Sequence, residues 1–337
     1  MKFNFYFLSS AFLIFVVPLA PSLGLCAAPA TAQIFAPGAL PKAHKRADDF
    51  VADAFQKKLA QNQQWLKLLH FKTNRLGQFQ SEVDGAAFFL SSSGKEAPDL
   101  ELEATLREFL RPASELRFQK EPDAHALCRF PARRHWLAQA LGAPEDFGTG
   151  VQCPQLDWFE QTLQAKRATL VFASYYLESP ASLFGHTFLR IDKDLNTQKS
   201  IPLLSHAVSF GAEPDTENPL AYAWKGLFGG FPGRYAVLPY YVKIQEYNNF
   251  ESRDLWEYQI QFSPEEIKRL VFHLWELRPT SFDYYFFQAN CSYQMLTLLE
   301  AAKPELELSS QFVFQAASIF EISRISSISS VRFSTFR

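Results

Sequence analysis

Apolar residues recur at helical spacing in the first half of this chain and at alternating spacing in the second. Phe50, Ala54, Leu59, Trp65, Leu66 and Leu69 fall on a helical pattern across 47–71. Two shorter helices are predicted, at 101–110 before Arg111-Pro112 and at 133–141 before Gly142-Ala143-Pro144. The character changes near residue 155, where runs at 169–176, 187–192, 206–210, 235–240 and 254–262 predict strands. Ser263-Pro264-Glu265-Glu266 then opens a helix. Ser263 is the N-cap, Pro264 takes the first helical position and Glu266 closes a capping box. Ile267, Leu270, Val271, Leu274 and Leu277 form its apolar stripe. A last helix begins near Cys291, with Met295, Leu298, Leu299 and Ala302 along one side. Strands followed by helices predict an α+β domain behind a mostly helical one.

The N-terminus predicts the compartment. Met1-Lys2 precedes an apolar run over 3–20, and the small residues of 28–32 supply Ala-x-Ala cleavage triplets. This reads as a secretory signal peptide over 1–30, followed by a linker over 31–45. The expected organisation continues with a helical accessory domain over 46–153, a second domain over 154–308 and an atypical tail over 309–337. The tail is rich in Ser, Ile and Phe and lacks clear caps.

Composition narrows the function classes. The 337 residues carry 33 Lys plus Arg against 35 Asp plus Glu, for a net charge of -2. With no basic block, a nucleic-acid partner is not expected. The 34 Phe and 15% aromatic residues suit a core of large rings, or an apolar partner.

Four Cys are too few for a disulfide scaffold, so each needs its own explanation. Cys26 falls in the signal segment. Cys128 and Cys153 stand 25 residues apart in Pro-flanked loops and are expected to pair after export; two buried free thiols are the alternative. Cys291 is then left over. It follows Asn290 at a helix start, where the dipole and unpaired N–H groups lower a thiol pKa and hold an oxyanion. The plainer reading is a small apolar residue packed under Tyr284-Tyr285-Phe286-Phe287. A Cys nucleophile needs a base, usually His. His186 opens a strand after Gly185, and alternation puts His186, Phe188 and Arg190 on one face with Thr187, Leu189 and Ile191 on the other. His206 starts the next strand, where it either orients His186 or is polar filling. Asn290 and Ser292 flank the thiol as oxyanion or orienting groups. Gly226, Gly229, Gly230 and Gly233 read as an aromatic flap or a set of turns. No metal-ligand spacing, phosphate loop or Gly-x-Ser-x-Gly occurs, so no metal or cofactor is expected.

Five segments carry a resemblance. They are Phe172-Ala173-Ser174-Tyr175-Tyr176-Leu177, Ser182-Leu183-Phe184-Gly185-His186-Thr187-Phe188-Leu189-Arg190-Ile191, Lys225-Gly226-Leu227-Phe228-Gly229-Gly230-Phe231-Pro232-Gly233-Arg234, Arg253-Asp254-Leu255-Trp256-Glu257-Tyr258, and Phe282 through Asn290-Cys291-Ser292. In this order, over about 160–305, they resemble the Lnb N-terminal periplasmic domain family. The helical segment ahead of them resembles an accessory region often found before that domain. The resemblance implies a circularly permuted papain-like (NlpC-like) fold in the periplasm or cell envelope. It implies Cys-His acyl transfer or hydrolysis on lipid or lipoprotein acyl groups through a thioester, with Cys291 as nucleophile and His186 as base. A membrane surface is a further expected partner. The alternatives are an NlpC-like cell-wall peptidase or amidase, and a non-catalytic periplasmic binding module. The tail departs from the family pattern and reads as truncated or frameshifted.

Overall fold

A computed structural model describes residues 46–73, 76–112, 123–143, 151–174, 185–193, 204–213, 218–250, 253–286, 289–311 and 331–333. The signal-peptide and linker assignments lie outside these residues.

The predicted first helix is broken by backbone that cannot continue it. Helix α1 (Ala47–Gln56) buries Phe50, Val51 and Ala54. Lys58 then adopts φ 53°, in the left-handed region that ends a helix. Helix α2 (Gln63–Leu68) restarts with Asn62 Oδ1 accepting the Gln64 N–H at 2.9 Å. A second positive φ, 53° at His70, turns the chain into a small hairpin of β1 (Phe71–Thr73) and β2 (Phe79–Ser81). Then come α3 (Pro98–Phe109), α4 (Ala126–Arg129) and α5 (Pro131–Leu141), which closes at Gly142 with φ 60°. Trp65 of α2 stacks on Trp136 of α5, with ring centroids 5.6 Å apart.

Cys128 and Cys153 form a disulfide with Cα atoms 5.3 Å apart, as expected. It ties α4 to the start of α6 (Pro154–Leu163). After α6 come β3 (Ala165–Ala173), β4 (His186–Lys193), β5 (His206–Ala212), α7 (Pro219–Phe228), β6 (Phe231–Pro239), α8 (Tyr240–Ile244), β7 (Leu255–Ile260), α9 (Pro264–Leu277), β8 (Phe282–Tyr284), α10 (Cys291–Ala302) and β9 (Val331–Phe333). The strands form an antiparallel sheet in the order β8-β6-β5-β4-β3-β7-β9. Mixed helix and sheet make this an α+β protein. Helices α9 and α10 cover one sheet face, where Leu170, Leu189, Val208 and Phe210 join the main core. The other face carries a smaller cluster of Val171, Ala173, Phe188, Ala207, Tyr240 and Tyr247.

The helical half is locked to the sheet half by buried charge. Arg133 of α5 is fully buried between the rings of Phe88 and Phe130. It donates to Glu101 Oε1 at 2.7 Å and to the Phe88 carbonyl at 2.8 Å. Its Nε lies 3.7 Å from Glu276 Oε2 on α9. Glu276 Oε1 also accepts the Ala132 and Arg133 N–H groups, at 2.7 and 3.0 Å, at the start of α5. Next to this network, His70 and His273 share a 2.9 Å hydrogen bond between their Nε2 atoms, with rings stacked at 5.1 Å. Both are held neutral: burial pushes His273 down to about 3, and burial with the neighbouring His273 and Arg133 lowers His70. No helix among the described residues is long and apolar enough to cross a membrane.

Candidate functional site

Cys291 occupies the first position of α10, as its sequence context predicts. Asn290 caps the helix: its Oδ1 accepts the Tyr293 N–H at 3.2 Å, and its Nδ2 donates to the Phe286 carbonyl at 3.2 Å. That amide therefore shapes the helix start. Cys291 is a free, buried thiol with 6% of its surface exposed. Burial pushes its pKa up, while the Thr187 N–H and the hydroxyl and N–H of Ser292 pull the other way. The expected lowering by the helix terminus is thus overridden, because desolvation of a thiolate outweighs a few partial charges. Ser292 also bonds Thr187 side chain to side chain, Oγ to Oγ1 at 2.7 Å, which fastens α10 to β4.

His186 stands one residue from Thr187, on the opposite side of the strand. Its Nε2 bonds Ser209 Oγ at 3.1 Å, and its ring packs against Phe188 and Tyr247 at 6.2 and 5.9 Å. Burial, with Lys243 and Arg253 nearby, pushes His186 down to about 3, so the ring is neutral at pH 7. The imidazole therefore bonds Ser209, while the thiol stands next to Ser292, whose hydroxyl bonds Thr187. Among the described residues no hydrogen bond joins the Cys291 thiol to the His186 ring. The physical reason is the alternation along β4: Thr187 faces α10, so its neighbour His186 faces away. The two groups flank the same end of β4, beyond the Leu189–Ile191 stretch that pairs with β5.

Gly185 makes this strand start possible. It takes φ 85°, and a Cβ there would lie 2.4 Å from the Phe172 ring and 2.7 Å from the Ala173 carbonyl.

His206 is at the wrong end of the sheet to orient His186. It pairs with Ile191 and Pro239, toward the far end of β4. The glycine segment forms a turn between two elements. It is the end of α7, a two-residue positive-φ turn at Gly229 and Gly230, and the start of β6. A Cβ at Gly226, Gly229 or Gly233 would fall within 2.1, 2.6 or 2.4 Å of the rings of Phe286, Tyr285 or Phe210. The Gly226 carbonyl accepts the Phe286 N–H at 2.8 Å, anchoring the aromatic segment that leads to Cys291.

Sequence reasoning did not single out Ser209 or the Thr187 backbone. Ser209 alternates with His206 along β5, but only the register of β5 on β4 reveals which histidine it meets. Among the described residues, no group of three His, Cys, Asp or Glu side chains is placed to hold a metal ion.

A family model described as Lnb N-terminal periplasmic domain matches residues 155–324, passing the boundary expected at 308. A second, described as a domain of unknown function (DUF7843), matches residues 57–140. No curated protein and no solved structure matches the chain.

Proposed function

This chain belongs to the Lnb N-terminal periplasmic domain family, and from that premise we propose that it is a thiol acyltransferase or hydrolase. Its substrates are lipid or lipoprotein acyl groups, and its fold is a circularly permuted papain-like one. The family's periplasmic description supports a periplasmic or cell-envelope location. One observation carries the reading: the free thiol of Cys291 takes the first position of α10, behind the Asn290 cap, where the Thr187 and Ser292 N–H groups favour its thiolate. Such donors suit a thiolate or the oxyanion of an attacked ester.

In the first half-reaction the sulfur attacks an ester carbonyl. A C–S bond forms, the ester C–O bond breaks, and the thiol proton ends on the departing alkoxide. An amine or water then attacks the thioester: a C–N or C–O bond forms, the C–S bond breaks, and a proton of the amine or water returns to the sulfur. With thiol and imidazole both neutral, the reaction starts by general-base transfer and not from a resting ion pair. His186 is the base that the family resemblance implies; because strand alternation turns its ring to the other face, on Ser209, it serves only if the backbone at the start of β4 rearranges to bring the ring to the thiol. The acyl donor approaches from a membrane surface; nucleic acid has no part.

A second reading, a non-catalytic binding module, is favoured by the burial of the thiol and the bond that keeps His186 on Ser209. A cell-wall peptidase or amidase would use the same nucleophile on peptide. Assays of the exported protein on phospholipid and on muropeptide separate these readings. Acyl release from phospholipid that vanishes in Cys291→Ala supports the proposal. Activity on muropeptide alone favours the peptidase, and turnover retained by Cys291→Ala overturns thiol catalysis.

A further inference from the structure

We propose that the groove between α6, the β5–β6 pair and the C-terminal end of α9 binds an anionic amphiphile, an apolar chain ended by a carboxylate or phosphate. The groove has a volume of about 700 Å³ and is open to solvent, a size usual for small-molecule sites. Cys291 does not line it, so this site is separate from the thiol. Both family-matched regions contribute to its walls.

The chemistry of the walls selects the ligand. Phe159 and Trp275 form an apolar wall, and the Arg278 guanidinium lies over both rings at 4.9 and 5.2 Å. A guanidinium stacked over rings uses its face for that contact and keeps its edge donors for a carboxylate or phosphate. Among the described residues no carboxylate pairs with Arg278. The groove's own acids are engaged through one oxygen each: Asp123 Oδ2 accepts the Leu156 N–H at 2.8 Å and Glu276 Oε1 accepts two N–H groups of α5, while Asp123 Oδ1 has no hydrogen-bond partner and Glu276 Oε2 lies 3.7 Å from Arg133 Nε. Arg129 adds a second cation to the lining. His206, displaced from any role beside His186, lines the groove with a buried Nδ1 that has no hydrogen-bond partner. Trp158 stands at the groove with 63% of its surface exposed. An exposed indole beside an aromatic wall leaves apolar surface that a compact anion does not cover but a chain does.

The test is a fluorescence and calorimetric titration of the full exported chain. Dodecyl phosphate and dodecanoate are compared with neutral dodecyl maltoside, all below their micelle concentrations. Saturable binding of both anionic probes is expected, with no saturable binding of the maltoside. Arg278→Gln should weaken the anionic probes about tenfold or more, the effect of losing a charge-assisted bond. Trp158→Phe should remove much of the fluorescence response, and Cys291→Ala should leave affinity unchanged. That last arm separates this site from the thiol site, so failure of one reading does not touch the other. Equal binding of the maltoside, absence of saturable binding, or an unchanged affinity in Arg278→Gln overturns the proposal. Saturation by an acidic peptide in place of the alkyl anions also overturns it.

Discussion

Replacing Arg133 by Met tests how the two halves of the molecule are held together. The side chain is fully buried and faces two buried carboxylates at once, hydrogen-bonding Glu101 at 2.7 Å and standing 3.7 Å from Glu276. Met keeps most of the volume between Phe88 and Phe130 but removes the charge. Breaking a buried pair from one side costs about 3–5 kcal/mol, because the surviving charge is left uncompensated. The loss should depend on pH. Burial already raises Glu276 to about 7, and Arg133 is the largest influence opposing that rise. Without the guanidinium the folded-state pKa climbs further above the unfolded value near 4.5. A group raised in this way favours the fold at low pH and loses that contribution as pH rises through the folded pKa. Urea unfolding followed by tryptophan fluorescence should therefore show a penalty of about 3–5 kcal/mol at pH 8 and a smaller one at pH 5.5. Adding Glu276→Gln should recover part of the loss at pH 8. A penalty under about 1 kcal/mol, or one equal at both pH values, would refute the assignment of this network as the clasp between the halves.

Three further outcomes follow from the same structure. Cys128→Ser with Cys153→Ser should cost about 3.5 kcal/mol on the chain-entropy model for a loop of 25 residues, measured by urea unfolding; no loss would show that the bridge constrains nothing. His273 is held near 3, below its usual 6.5, so its stabilising contribution is present above pH 6.5 and lost as pH falls toward 3. His273→Gln should remove about 2 kcal/mol of the stability difference between pH 7.5 and pH 5; an unchanged pH profile contradicts a neutral buried pair. Cys291 should react with iodoacetamide more slowly than an ordinary thiol at pH 7, with a rate that rises beyond the usual thiol range, because burial pushes its pKa up. His186→Ala should leave that labelling rate unchanged, since the resting imidazole is neutral and bonded to Ser209; fast labelling that depends on His186 would contradict the resting geometry.

Local signals were readable from the sequence and long-range ones were not. The Ser263–Glu266 capping box forms as spaced, with Glu266 N–H to Ser263 Oγ at 3.3 Å and Ser263 N–H to Glu266 Oε2 at 2.7 Å. The alternation of β4 and the pairing of Cys128 with Cys153 also needed only nearby residues and compartment chemistry. Left-handed Lys58 and His70 carried no glycine to mark them, so one predicted helix became two helices and a strand. Arg133 and Glu276 gain each other only where α5 meets α9. The side of β4 that receives α10 depends on the packing of helix on sheet, which no window of sequence contains. That choice separates His186 from Cys291 and brings it to Ser209.

The central claim is that Cys291 carries an acyl group during turnover. Intact-mass and peptide mass spectrometry after incubation with phospholipid, quenched at acidic pH, tests this most directly. A hydroxylamine-sensitive acyl adduct should appear on Cys291 in the wild type and be absent from Cys291→Ala. In His186→Ala it should form far more slowly, even though that variant leaves alkylation unchanged. Turnover without any adduct on Cys291, or an adduct on another residue that persists in Cys291→Ala, would contradict the account.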